Sequence, residues 1–388
     1  MILAALLLPV AVVAVLVLIQ RLRVPAFLAL MVVVVAYGAA AGMTAQSIGK
    51  AFGLGFVAAL EQAGLLVVAG ALVGRMLIKQ PLPGPAAAIA GALAGLGGSA
   101  AGGLALLQPA GRAIGLALAL LAVHALVAPS PLAVAAASVL KADIRTMAGI
   151  ALPVAIVAAA IGWGLFARDA RQPGSLSPGW LAIAVPIALL VMQSIAQMPS
   201  EPLGKGGARE FWTGISRPLM LAVLAIALAV LLSRRWQPGV LADTSWAPLL
   251  LTVGAAGGLA RVLDETGMAE LLAEYMLDPR LGLLAPFLAA ATMKTMQGNS
   301  LSAVLTASGM IEPMLPALGL DSAHGRALAA ASVGAGSIAI CHVNDPFFWI
   351  AAHIGGLTPV QALRTIALGS LAVGVAALGL LAALRVVL

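Results

Sequence analysis

Long apolar runs, uncharged but for Glu61 and Arg326, recur along almost the whole chain, at 1–20, 24–42, 51–74, 113–128, 146–167, 178–198, 218–233, 246–260, 281–293, 324–344 and 365–384. A hydrocarbon core needs about 20 apolar residues per helical span, so the pattern predicts an all-α polytopic membrane protein of about 10–12 transmembrane helices. The stretch from Gln80 to Gly111 is too long for one simple helix and carries Gly97-Gly98-Ser99 and Gly102-Gly103 in its middle. It predicts a broken or re-entrant element. The first run lacks the basic segment of a secretion signal and is followed by Arg21, Arg23 and a second run, so it reads as the first transmembrane helix.

The most polar connection, Met198 to Arg217, falls near the midpoint. It divides a first half (1–198) from a second (218–388) by a linker (199–217) within one transport domain. The halves match in places. Val68 to Leu77 resembles Gly254 to Leu263, a glycine-rich segment ending at Pro109 has a counterpart ending at Pro313, and Ala128-Pro-Ser-Pro131 parallels Val343-Asn-Asp-Pro346. Apolar low-complexity sequence also aligns with itself by chance, but a weak repeat of this kind is a transporter signature, with sites near the bilayer midplane where discontinuous helices face each other.

Composition sharpens the class. Of 388 residues 62% are hydrophobic and 9% charged, against about 25% charged in soluble domains, and the mean hydropathy is +1.10. The net charge is +7 without any run of like charges, which excludes a nucleic-acid grip. One cysteine, Cys341, excludes an internal disulfide and a multi-thiolate metal site. On the positive-inside rule Arg21, Arg23, Arg75 and Lys79 are cytoplasmic and Lys50 lies opposite. There is no GxxxxGK[ST], HExxH or CxxC, so neither a cofactor, a metal nor an enzymatic activity is expected.

Polar residues inside apolar runs are costly and mark function by default. The densest cluster is Ile340-Cys-His-Val-Asn-Asp-Pro346, with His342, Asn344 and Asp345 inside four residues. Pro346 places Asp345 where a helix breaks or begins; capping alone and a cavity-facing role both satisfy that position. A second cluster is Lys294-Thr-Met-Gln-Gly298-Asn299-Ser300, continuing to Ser302, Thr306 and Ser308. A half-helix beginning there would offer N–H groups and neutral donors to a carboxylate, while small residues also serve helix packing. His124, six residues before Ser130, is either a packing residue or a ligand, and Glu61 is either interfacial or a proton carrier. Lys141, Asp143 and Arg145 read as a solvated loop. Arg261, Asp264, Glu265, Glu270, Glu274 and Arg280 read as an amphipathic interfacial helix.

At these residues the chain resembles the gluconate permease family of proton symporters. His342-Val-Asn-Asp-Pro346, Phe348-Trp349, Gly356-Leu357-Thr358 and Ala362 to Thr365 are similar to its "SHVNDPGFW…LT…ETxKSW" segment. Gln297-Gly298-Asn299 with Thr306-Ala307 and Pro313 resembles "LGSATVAxxTAAGxxAPL", and His124 to Pro131 with Lys141-Ala-Asp143 resembles "HGFxPPHPGP…xAD". The resemblance implies an ion-transporter-superfamily fold of two inverted repeats with re-entrant hairpins in the inner membrane. It also implies proton-coupled uptake of a small hydroxy-acid or sugar-acid anion such as gluconate by alternating access. The chain departs from the pattern at Ala128, Ser130, Leu132, Asn299, Leu301 and Phe347. It carries Ala100 and Ala101 where the family has Tyr-Glu, which favours a proton-independent uniporter or channel as the alternative. The expected substrate contacts are Gly298, Asn299, Ser300, Thr306 and Asn344 from one half and Gly98, Ser99 and Ser130 from the other, with Asp345, His342 and His124 linked to the proton. The expected partners are the anion, protons and the lipid bilayer, with a homodimer admitted and no nucleic acid.

Overall fold

The computed structural model describes residues 2–78, 80–111, 114–167, 174–234, 239, 246–267 and 277–388, with side chains from Leu7 onward. Lys79, Glu270 and Glu274 lie outside the described residues. These residues form helices joined by short turns, and no β-strand occurs among them. Six helical segments are long and apolar enough to cross a membrane: Ala45–Leu77, Ile114–Val139, Ile144–Phe166, Pro178–Ala196, Ala247–Asp264 and Pro359–Val387. Gly207–Ile215 and Pro218–Ser233 make a seventh if the pair, bent by 66°, is taken as one span. The other apolar runs fold as shorter helices, among them Leu7–Gln20, Ala26–Ala40, Gly84–Gly95 and Pro346–Gly355. The chain is thus a multi-pass helical membrane protein. Its outer faces carry exposed large apolar side chains such as Val10, Val35, Leu54, Ile156, Val223 and Val375, as lipid requires.

In chain order the helices are α1 (Ile2–Gln20), α2 (Ala26–Ala40), α3 (Ala45–Ala59), α4 (Leu65–Leu77), α5 (Gly84–Gly95), α6 (Ala100–Leu106), α7 (Ile114–Leu126), α8 (Pro131–Val139), α9 (Ile144–Phe166), α10 (Leu181–Ala196), α11 (Gly207–Ile215) and α12 (Pro218–Ser233). They continue with α13 (Ala247–Asp264), α14 (Leu284–Gln297), α15 (Ser300–Ile311), α16 (Ala323–Gly336), α17 (Pro346–Gly355), α18 (Pro359–Ala362) and α19 (Leu368–Val387). A π-helical turn, Leu60–Gly64, joins α3 to α4, and another, Leu363–Ala367, joins α18 to α19. The polar linker of the sequence contains α11, which buries none of its residues, and the ion pair Lys205–Glu201 at 3.6 Å.

The helix breaks fall where glycine and capping side chains allow them. α5 and α6 are separated at Gly97-Gly98-Ser99, and Ser99 caps α6 by accepting from the Gly102 amide at 3.2 Å. In the later half α14 ends at Gly298, in the left-handed region at φ +65°, and folds back onto α15. Asn299 caps α15 by accepting from Leu301 N at 2.9 Å and Ser302 N at 3.3 Å. A helix followed by a capped proline start comes next in each half. Ser130 precedes Pro131 and caps α8, and Asp345 precedes Pro346 and caps α17.

The elements before and after the linker interleave. α13 packs on α2 and α3, and α12 packs on α4 and α10. The α3–α13 crossing is close because each helix presents a glycine to the other: a Cβ on Gly257 would sit 2.5 Å from the Gly55 carbonyl oxygen, while Phe52 fills the space beside Gly258. This crossing aligns Gly55, Ala58, Ala59 and Gln62 of one helix and its π turn with Gly257, Ala260, Arg261 and Asp264 of the other, both at helical spacing.

Candidate functional site

The two hairpin tips and the α3–α13 crossing enclose a cavity of about 380 Å³, within the range of small-molecule sites. Gly98 and Ser99 reach it from one tip and Gly298, Asn299, Ser300 and Ser302 from the other. His124 of α7, Lys294 of α14 and the Asp345-Pro346-Phe347 start of α17 complete the wall.

Asp345 and Lys294 form a buried ion pair with Nζ 2.5 Å from Oδ2; their side chains are 7% and 3% exposed. The pair is well satisfied. Lys294 also donates to the Gly298 carbonyl at 3.1 Å, the Cys341 thiol donates to Asp345 Oδ2 at 3.0 Å, and the Phe347 amide donates to Oδ1 at 2.8 Å. Asp345 is therefore both the N-cap of α17 and the counter-ion of a lysine 51 residues earlier. A buried pair of this kind contributes little to net stability, but losing one partner strands the other charge.

On the opposite wall Arg261 donates to Asp264 Oδ2 at 3.1 Å and to Glu265 Oε1 at 2.6 Å. Asp264 also accepts a side-chain hydrogen bond from Gln297, which ties α13 to the tip of the α14–α15 hairpin. Among the described residues the four charged side chains lining the cavity, Arg261, Lys294, Asp264 and Asp345, cancel. The helix starts on the cavity are capped, Leu301 N and Ser302 N by Asn299 and Phe347 N by Asp345, so what α15 adds is the positive end of its dipole and the Ser300 hydroxyl.

The sequence candidates separate into two groups. Gly98, Ser99, Gly298, Asn299, Ser300, His124 and Asp345 lie on the cavity. Asn344 and His342 lie behind it: Asn344 Nδ2 donates to the carbonyls of Thr295 at 3.0 Å and Met296 at 3.1 Å, and His342 Nε2 donates to the Thr295 carbonyl at 2.8 Å. Both pin the α16–α17 connection to the end of α14. Ser130 is fully buried, with its hydroxyl donating to the His124 carbonyl and accepting from Leu132 N. Thr306 is half-buried two turns along α15, away from the cavity. His124 Nδ1 donates to the Gly95 carbonyl at 2.9 Å, which fixes its tautomer and joins α7 to α5. Glu61 is exposed in the first π turn, with its neighbour Gln62 on the cavity.

Arg261, Asp264 and Gln62 are cavity residues that the sequence reading did not single out for binding. The signal available was the spacing Gly257, Ala260, Arg261, Asp264, one face of a helix that runs deeper than the charge pattern suggested. Lys294 was visible beside its cluster, but its partner was not.

A multi-pass helical membrane protein with a cavity at facing helix breaks is of the permease class. The chain belongs to the GntP permease family, whose description, GntP family permease, matches residues 2–108 and 166–387. The unmatched stretch includes His124 and Ser130, beside the departures at Ala128 and Leu132. The chain is 25% identical to a gluconate permease of Pseudomonas aeruginosa over 92% of each protein. It is 27% identical to a D-serine transporter of Escherichia coli K12 over 63% of this chain and 61% of that one. It is also 27% identical to the Gnt-II system L-idonate transporter of the same strain, over 64% and 62%. These last two alignments span about three fifths of the relatives' own length.

Proposed function

We propose that this protein is a secondary transporter of the inner membrane that carries a small hydroxy-acid or sugar-acid anion together with a proton, by alternating access. The observation that carries the reading is the convergence on one cavity of both glycine-containing hairpin tips, two helix N-termini and the Lys294–Asp345 pair. The matching order of breaks in the two halves supports an inverted-repeat architecture, in which such breaks meet at the substrate site.

In this reading the substrate carboxylate is held by Ser300 and the positive end of α15, with Asn299 shaping the tip by capping the Leu301 and Ser302 amides. Its hydroxyls face Ser99, Gln62 and the Arg261–Asp264 pair. Ser130, Asn344 and Thr306 support the wall without touching substrate. Asp345 carries the coupled proton because, of the two carboxylates on the cavity, it is the one paired with a buried cation, whereas the Arg261 partner of Asp264 is exposed. Ala100 and Ala101 line the cavity without offering a carboxylate there, so the coupling falls to a carboxylate elsewhere on the wall.

Relatives named for gluconate, L-idonate and D-serine all handle small carboxylates bearing hydroxyl groups. The test is a panel of radiolabelled gluconate, glycerate, D-serine and short keto acids offered to proteoliposomes. Saturable uptake of at least one hydroxy acid, competed by its unlabelled form, is expected. Uptake no faster than in empty liposomes across the panel would remove the reading.

A further inference from the structure

We propose that Lys294 is the coupling switch of the cavity: it exchanges its ion-pair partner between Asp345 and the substrate carboxylate, and Asp345 takes up a proton when it is released. This rests on the transport reading above and adds the residue by which anion and proton are tied together.

Three observations carry it. Lys294 lies on the cavity wall yet is only 3% exposed on its side chain, so its ammonium needs a counter-charge in every state of the protein. Its hydrogen bond to the Gly298 carbonyl holds it at the hairpin tip, beside the N-terminus of α15 where an anion is favoured. Asp345 keeps a place to stand once released, because the Phe347 amide donates to Oδ1 and the Cys341 thiol to Oδ2. A lysine fixed at its post between a resident carboxylate and an incoming one selects between them.

The charge balance gives the direction. An arriving monoanion brings one negative charge, and an Asp345 that has lost Lys294 would be a bare carboxylate in a buried site, which is costly. Uptake of one proton from the aqueous side onto Asp345 removes that cost, so the loaded and empty carriers hold the same net charge. No other bond is made or broken. Among the described residues the charged or titratable groups around Asp345 are few. Lys294 comes from α14, His124 from α7, and Arg261 and Asp264 from α13 across the cavity. Cys341 and His342 lie on its own connection. The π turn Leu363–Ala367 brings only the exposed Arg364, and α6 brings none.

The experiment uses the purified full chain in detergent with gluconate as probe, by titration calorimetry in two buffers of different ionisation enthalpy. The wild type is expected to take up about one proton per gluconate, with a dissociation constant that rises about tenfold per pH unit on the alkaline side. In Asp345→Asn no proton accompanies binding and the constant is flat with pH. In Lys294→Gln affinity falls tenfold or more, and Lys294→Arg restores most of the proton uptake. Should Asp345→Asn fail to fold with Lys294 stranded, Lys294→Gln/Asp345→Asn removes both charges, and it too must bind without proton uptake. Proton uptake that persists in the Asp345 variants overturns the proposal while leaving transport standing. A wild type that binds no hydroxy acid removes the transport reading, and this inference falls with it.

Discussion

The carbonyl oxygen of Asn344 occupies the space into which a Cβ on Gly298 would project. Gly298 is in the left-handed region as well, so a side chain there meets two separate penalties. Gly298→Ala is expected to cost about 1 kcal/mol from the dihedral alone and more from displacing the α16–α17 connection. It should lower the melting temperature in detergent and abolish high-affinity uptake, because Lys294 bonds to the Gly298 carbonyl. A variant as stable and active as the parent would contradict this packing.

Caps on and off the cavity separate stability from binding. Ser130→Ala loses the cap of α8 and should destabilise by about 1 kcal/mol while the Michaelis constant for uptake changes less than twofold. Asn299→Ala loses a comparable cap on α15 but also distorts the tip that holds the anion, so its Michaelis constant should rise tenfold or more. Thermal unfolding and uptake kinetics on the same preparations make the comparison.

Arg261 is a cation on the cavity wall whose guanidinium is already engaged by Asp264 and Glu265. Hydrogen bonds to charged groups are worth about 1.5–3 kcal/mol, so Arg261→Gln should weaken substrate binding by roughly ten- to a hundredfold. Arg261→Lys should recover only part of this, since one ammonium cannot serve both carboxylates and the substrate in the geometry of the planar fork.

Outside the spans, two carboxylates make the protein sensitive to acid. The Thr146 amide and hydroxyl hold Asp143 below the usual carboxylate range, and a 2.7 Å bond from Lys141 does the same for Glu312. Both folded-state values are depressed, so the stabilisation is complete above the unfolded values of about 4 and is lost as pH falls through the folded ones. Glu312→Gln should flatten the acid limb of melting temperature against pH and leave neutral stability almost unchanged, because the pair is exposed.

Much of this was legible in the chain. The apolar runs announced membrane helices, Gly97-Gly98-Ser99 and Gly298-Asn299 announced the hairpin tips, and Asp345-Pro346 announced a helix start. All three are local signals, since propensity and capping act over a few residues. The hidden parts depend on long-range packing. Asp345 meets a lysine 51 positions away, and nothing in its own segment says so. Asn344 and His342, equally polar and adjacent, turn to the backbone of α14 instead of the cavity. The charges from Arg261 to Arg280 read as one interfacial helix, yet Arg261 and Asp264 sit on α13 where its glycines let α3 approach and close the cavity. Their direction is set by that crossing.

Proton-driven accumulation of the anion is the central claim, and the direct measurement is uptake of labelled gluconate, or the best substrate of the panel, into proteoliposomes with an inward proton gradient. The expected result is a transient internal concentration several-fold above the external one, collapsed by a protonophore and absent in Asp345→Asn. Uptake that only equilibrates, at a rate indifferent to gradient and protonophore, would contradict it and identify a uniporter.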